Sequence, residues 1–178
     1  MEISAAQREM RTRFSGGFQG QLVSGVLWLL SASLATWGSA RAAITVLVVG
    51  GFFIFPLTEL LLRLVGRPAL SASNPLWQLG MQVAFVLPLS MPLLVPVGLH
   101  RLNWFYPALM ILVGAHYVPF VFLYGMRMFA VLATVLVGGG MLVALQVPNS
   151  FSAGAWLAGG VLLVFAAAGR ALTGQGAG

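Results

Sequence analysis

An all-α integral membrane protein, with six transmembrane helices in an antiparallel bundle and both termini cytoplasmic, is the fold class that three features of the sequence predict. First, 60% of the 178 residues are hydrophobic and only 7% are charged, where soluble domains carry about 25% charged residues. Second, six apolar stretches fill most of the chain, and roughly 20 apolar residues are what a helix needs to cross a hydrocarbon core. Third, the few charged residues are mostly arginines at the flanks of those stretches. No room remains for a soluble domain.

The net charge of +6 reflects 9 basic residues, all of them arginine, against 3 glutamates. Arginines that bracket apolar segments meet lipid headgroups and report orientation, so no nucleic-acid partner is expected. The absence of lysine excludes a retinal or pyridoxal Schiff base. The absence of cysteine excludes disulfides, thiolate ligands and thiol redox chemistry.

The elements follow in order. The opening MEISAAQREMRTRFS sets Ile3, Ala6, Met10 and Phe14 at helical spacing, with Gln7, Arg8 and Arg11 on the other side, and Ser4 with Gln7 fits a capping box. Residues 1–16 are therefore expected to form a cytoplasmic amphipathic segment on the membrane surface. The alternative is a frayed tail whose arginines orient the first span.

Spans are predicted at 17–37, 42–64, 75–97, 104–124, 126–145 and 155–168, the last extending to 171. Residues 17–171 are then the membrane domain and 172–178 a cytoplasmic tail. With the N-terminus inside, Arg8, Arg11, Arg13, Arg63, Arg67, Arg127 and Arg170 fall on the cytoplasmic side and only Arg41 and Arg101 outside, which supports both termini inside. The basic start and Ala40-Arg41-Ala42 imitate a signal peptide, but the apolar run is longer than the roughly 7–15 residues of such a segment. It reads as a retained span.

Most connections are short, which makes consecutive helices antiparallel neighbours. Only 65–74 and 146–154 leave freedom. A faint repeat pairs Gly51 to Pro56, with Arg63 downstream, against Gly114 to Pro119, with Arg127 downstream. It suggests stacked helical hairpins.

Few residues can carry chemistry. Glu59 lies four positions before Arg63, the favourable order for a pair on one helix face. It reads either as a salt bridge at a helix end or as a proton or cation ligand at a cavity mouth. His116 lies about midway through the fourth span, in GAHYVPFVFLYG, and forms an i, i+4, i+8 stripe with Phe120 and Tyr124, with Tyr117 close to the same face. An imidazole at that depth needs a partner from another helix, from cavity water or from a ligand. Pro56, Pro119 and the prolines at 88, 92 and 96 disturb helices two, three and four, and disturbed helices at depth commonly line cavities.

Gln78 and Gln82 on the third span, and Gln21 with Ser24 on the first, read by default as glue between helices. If the faces converge, Gln82, Glu59 and His116 define a polar pocket. The fifth and sixth spans carry Gly138-Gly139-Gly140 and Ala155-x-x-x-Gly159-Gly160, which suit close packing or a homodimer surface. Trp37, Trp104 and Tyr106 are expected in an outer aromatic belt, and Trp77 at the inner interface. Metalloprotease, phosphate-loop and serine-elbow motifs are missing, and no metal or cofactor is expected.

Three functional readings stay open. The leading one is a small-solute or ion transporter or channel in a bacterial cytoplasmic membrane, with a ligand or proton site at Glu59, His116, Tyr117, Gln82, Arg63 and Tyr124. The second is a non-transporting scaffold or accessory subunit that binds a partner or lipid. The third is an intramembrane lipid-modifying enzyme with His116 as base, which requires a lateral opening and a nearby acid.

Overall fold

The computed structural model describes residues 2–71 and 73–174. Among them six helical stretches are long and apolar enough to cross a membrane. A leading helix α1 (Ile3–Phe14) precedes α2 (Phe18–Trp37), the first span, and α3 (Ala40–Leu64), the second. The third span is α4 (Leu76–Ser90), a 3-10 turn (Met91–Leu93) and α5 (Leu94–His100). The fourth is α6 (Phe105–Tyr117) followed by α7 (Phe120–Tyr124); α8 (Met128–Gln146) and α9 (Ala153–Gly174) complete the set. These bounds lie close to the expected ones. At the C-terminal end α9 takes in 172–174, where the sequence predicts a tail, and 175–178 lie outside the described residues.

The prolines act unequally. Helix α3 runs through Pro56 without interruption, whereas the fourth span breaks between Tyr117 and Phe120. Pro119 has no N–H for the Ala115 carbonyl, and the Val118 N–H takes that acceptor instead, at 3.2 Å. The third span passes through a 3-10 turn that contains Pro92. The two halves of the faint repeat therefore fold differently, one as a continuous helix and the other as a broken one.

The spans form a horseshoe. Helix α2 packs on α3 and α9, α9 on α8, α8 on α6, and α6 on α4 and α5. The two ends of the horseshoe, α3 and α4, follow one another in sequence but are joined by the long 65–74 connection and are not packed along their lengths. Burial follows this order. Only 11% of the most apolar window is buried in α3 and in α4–α5, against 44% in the fourth span.

Glycines permit the closest crossings. A Cβ at Gly140 would lie 2.8 Å from the Pro107 carbonyl oxygen, and one at Gly159 would lie 3.2 Å from the Leu29 amide. Gly138 and Gly160 have open space in the same direction. Tyr106, expected in the outer belt, is instead fully buried, and its hydroxyl shares a 2.6 Å hydrogen bond with Ser31. A buried tyrosine needs a partner for its hydroxyl, and Ser31 also donates to the Ala43 carbonyl at 2.9 Å.

Helix α1 sits under this horseshoe. An even number of crossings puts α1 and the end of α9 on one side of the bundle, which the arginine excess makes the cytoplasmic side by expectation. Ala6 and Met10 are buried, as the amphipathic pattern predicts, while Ile3 on the same stripe is exposed. The capping box does not form: α1 begins at Ile3 with no side-chain cap, and the Gln7 side chain donates to the Phe122 carbonyl at 2.6 Å. Three consecutive left-handed residues, Ser15, Gly16 and Gly17 at φ 48°, 63° and 85°, then turn the chain from α1 into α2.

Candidate functional site

Helix α1 takes part in two arrangements: a polar latch that holds it against the bundle, and a cavity that it closes from below.

The latch uses residues from four segments. Arg13, buried on α1, donates through Nη2 to Oε1 of Glu59 at 2.5 Å and through Nη1 to the Arg67 carbonyl at 3.0 Å. Arg63 reaches the same Glu59 oxygen at 3.2 Å, but its side chain is 74% exposed. The expected i, i+4 pair is present, and a second arginine that is distant in sequence completes it. Arg11 donates to the Tyr124 carbonyl at 2.6 Å. This contact lies against Gly125, whose φ of 60° ends α7 and whose missing Cβ leaves room; a Cβ there would come within 2.7 Å of Gln7 Oε1.

Glu9 and Asn74 close the other side. The Glu9 carboxylate accepts from the Ser71 backbone N–H at 2.5 Å and from Asn74 Nδ2 at 2.7 Å. These two bonds, the first the larger, hold its pKa below the ordinary 4.5. Buried Asn74 also donates to the Ala6 carbonyl at 3.2 Å and accepts from the Leu76 amide at 2.9 Å. It ties α1 to the start of α4. Neither Arg13 nor Asn74 stood out in the sequence, although Asn74 directly before Pro75 fits a helix start.

Above the latch lies a cavity of about 470 Å³ between the arms of the horseshoe, floored by Met10 and Phe14 of α1. Its walls are mostly apolar. No charged side chain of the described residues lines it. His116, Tyr117 and Tyr124 line it together, as the sequence stripe suggested. The break in the fourth span does not scatter the stripe: His116 and Phe120 ring centroids are 5.2 Å apart, and Phe120 and Tyr124 are 5.6 Å apart. Phe129 of α8 stacks on Tyr117 at 6.1 Å and on Tyr124 at 5.2 Å, which backs the row of rings.

The polar atoms of this cavity are under-used. The His116 ring approaches the backbone of Val83 in α4, whereas its Nδ1 has no partner. Both amide atoms of Gln21 and the Thr58 hydroxyl are buried without a partner as well. Gln21 is 1% exposed and Thr58 8%, and a buried amide left unpaired costs roughly 1–3 kcal/mol. In the sequence Gln21 reads as helix glue and Thr58 carries no signal. Their positions on facing sides of α2 and α3, with Thr58 opposite Gly20, emerge only when those helices pack.

The remaining expected site residues lie elsewhere. Glu59 and Arg63 do not line the cavity; Thr58 faces it, and the next residue turns its carboxylate to Arg13. Gln82 is on the exposed face of α4, away from the lining. The six residues named from sequence thus separate into a cavity group of His116, Tyr117 and Tyr124, a latch pair of Glu59 and Arg63, and the outward-facing Gln82.

The mouth of the cavity opens between α3 and α4. Phe52 and Phe55 of α3 and Phe85 of α4 line it while 64%, 44% and 59% exposed. For helices of spanning length and apolar composition, that exposure faces lipid.

No curated protein and no solved structure matches the chain. Residues 3–170, nearly its whole length, match the family described as "Family of unknown function (DUF7010)", and the chain belongs to that family.

Proposed function

We propose that this integral membrane protein is a carrier for a small solute, which it holds in the cavity between the α2–α3 arm and the α4–α7 arm. The observation that carries this reading is the set of buried polar atoms without partners on Gln21, Thr58 and His116, all on residues that line one cavity. A scaffold gains nothing from leaving them unpaired, since filling the space with apolar side chains removes the penalty. Tyr117 and Tyr124 add hydroxyls to the same wall, and the disturbed third and fourth spans supply the elements that move. The latch of Arg13, Glu59 and Arg63 then acts as the gate on the α1 side, and Gln82 has no part in ligand binding. A homodimer through spans five and six would have to use Gly138 and Gly160, because Gly140 and Gly159 are spent on contacts within the chain.

The protein has no cysteine, so a single one placed in the cavity is an unambiguous reporter. Ser24 lines the cavity on α2. A Ser24→Cys protein in vesicles, treated with a membrane-impermeant maleimide from one side and then from the other, is expected to react from both, with the balance shifted toward the α1 side when Arg13→Gln is added. Reaction from neither side, with or without Arg13→Gln, refutes the carrier reading.

A further inference from the structure

Resting on the carrier reading, we infer the class of its ligand: a neutral, lipid-soluble amphiphile with a hydroxyl-bearing head, which enters sideways from the bilayer between α3 and α4. Four observations converge on it.

The route comes from the packing. The horseshoe is open between α3 and α4, and the rim at Phe52, Phe55 and Phe85 is apolar and exposed. On the α1 side the cavity is floored by Met10 and Phe14 and strapped by the latch. A ligand dissolved in lipid reaches the cavity through the gap without crossing that floor, whereas a hydrated solute would have to cross an aromatic rim.

The charge of the ligand comes from the lining. No arginine or glutamate of the described residues contributes to the wall, and Arg13 is already committed to Glu59 and to the Arg67 carbonyl. An ionised head would be buried there without a counter-charge, which costs several kcal/mol in a medium of low polarity. Phospholipids and ionised fatty acids are therefore poor occupants.

The head group is set by the unpaired atoms. Nδ1 of His116 is buried in the lining without a hydrogen-bond partner. The Gln21 amide and the Thr58 hydroxyl each offer both functions. A hydroxyl both donates and accepts, so it can pair with either atom of the Gln21 amide and with the Thr58 hydroxyl; an ether or a ketone, which cannot donate, leaves Gln21 Oε1 unpaired.

Orientation follows from depth. Thr58 precedes the α1-side end of α3 by six residues and Gln21 follows the α1-side start of α2 by three, so both lie within about 10 Å of that face at 1.5 Å per residue. Leu47 of α3, Leu109 of α6 and Met91 in the turn of the third span line the cavity farther from that face. The head points toward α1, and the tail lies among these apolar side chains or trails out through the gap.

The test uses Trp28, which is 3% exposed and lines the cavity, as the single tryptophan, with Trp37, Trp77, Trp104 and Trp156 changed to Phe. The protein is placed in saturated phosphatidylcholine nanodiscs and titrated with dibrominated monoacylglycerol, with dibrominated fatty acid at neutral pH, and with dibrominated phosphatidylcholine. Expected is saturable quenching by the monoacylglycerol alone, with apparent affinity lowered at least about tenfold by Gln21→Leu. Equal, unsaturable quenching by all three lipids means that bulk lipid fills the groove and overturns the proposal, as does the absence of quenching. If the four-Phe protein does not fold, photocrosslinking of the wild-type chain with a diazirine monoacylglycerol decides, by adducts that are or are not competed by unlabelled monoacylglycerol at Phe52, Phe55 or Phe85. Saturable binding with Ser24→Cys labelled from neither side, with or without Arg13→Gln, would sink the carrier reading and leave the ligand class standing; the opposite pair of results would sink the ligand class alone.

Discussion

Replacing Arg13 by glutamine should loosen α1 from the bundle far more than the same change at Arg63, although both arginines touch the same Glu59 oxygen. The Arg13 side chain is 8% exposed and Glu59 26%, and the contact is 2.5 Å. Arg63 is 74% exposed at 3.2 Å. Breaking a fully buried pair costs about 3–5 kcal/mol, but Glu59 retains some access to water and keeps Arg63. The loss is therefore closer to that of one charged hydrogen bond, about 2 kcal/mol, or a roughly 30-fold rise in the population of undocked α1. The exposed i, i+4 pair of Arg63 is worth at most about 0.5 kcal/mol, less than about threefold. Hydrogen exchange of the α1 amides in nanodiscs, read by mass spectrometry, measures both. Equal acceleration by the two variants, or unchanged protection of α1 in Arg13→Gln, would refute the claim that the buried arginine holds the latch.

Further outcomes follow from the same geometry. Gln21→Leu should raise the melting temperature of the empty protein, since it removes an unpaired buried amide worth about 1–3 kcal/mol, even as it weakens ligand binding; a fall in melting temperature would show that the amide is satisfied. Gly140→Ala should destabilise by about 1–3 kcal/mol because its Cβ meets the Pro107 carbonyl at 2.8 Å, whereas Gly138→Ala, with nothing within 4 Å, should be neutral or slightly stabilising in thermal unfolding. Gln82→Leu should leave quenching of Trp28 unchanged; a loss of affinity would return that residue to the site. Glu9 has a folded-state pKa below its ordinary 4.5, so its contribution to docking is complete above that value and fades as pH falls through the lowered one. Protease sensitivity of α1 should therefore be flat between about pH 6 and 8 and rise only in acid, and a Glu9-dependent rise already at neutral pH would contradict the assignment.

Much of the candidate site was visible in the residues, but its grouping was not. His116, Tyr117 and Tyr124 could be placed on one wall because their spacing fixes their relative direction on a helix, and even the break at Pro119 left the ring row intact. Glu59 was recognised as a paired acid, yet its stronger partner is 46 positions away, beyond the reach of any local pattern. Gln82 joins a pocket in the sequence only on the condition that its face converges with those of Glu59 and His116, and nothing in α4 alone says which face meets α6. Gln21 carried no distinguishing signal until its partners proved to be missing.

The sequence by itself determined the class and the number of the spans, because a hydrocarbon core imposes length and polarity on each helix separately. It also determined the two faces of α1, which are set by helical periodicity. Only the tertiary structure decided that α1 docks beneath the bundle and that α3 passes Pro56 unbroken. It decided too that α3 and α4, neighbours in sequence, stand apart around a cavity. In a membrane the helices gain no hydrophobic preference for one neighbour over another. The choice falls to close contacts at single glycines, to buried ion pairs and to hydroxyl partners, each made between residues that lie far apart in the chain.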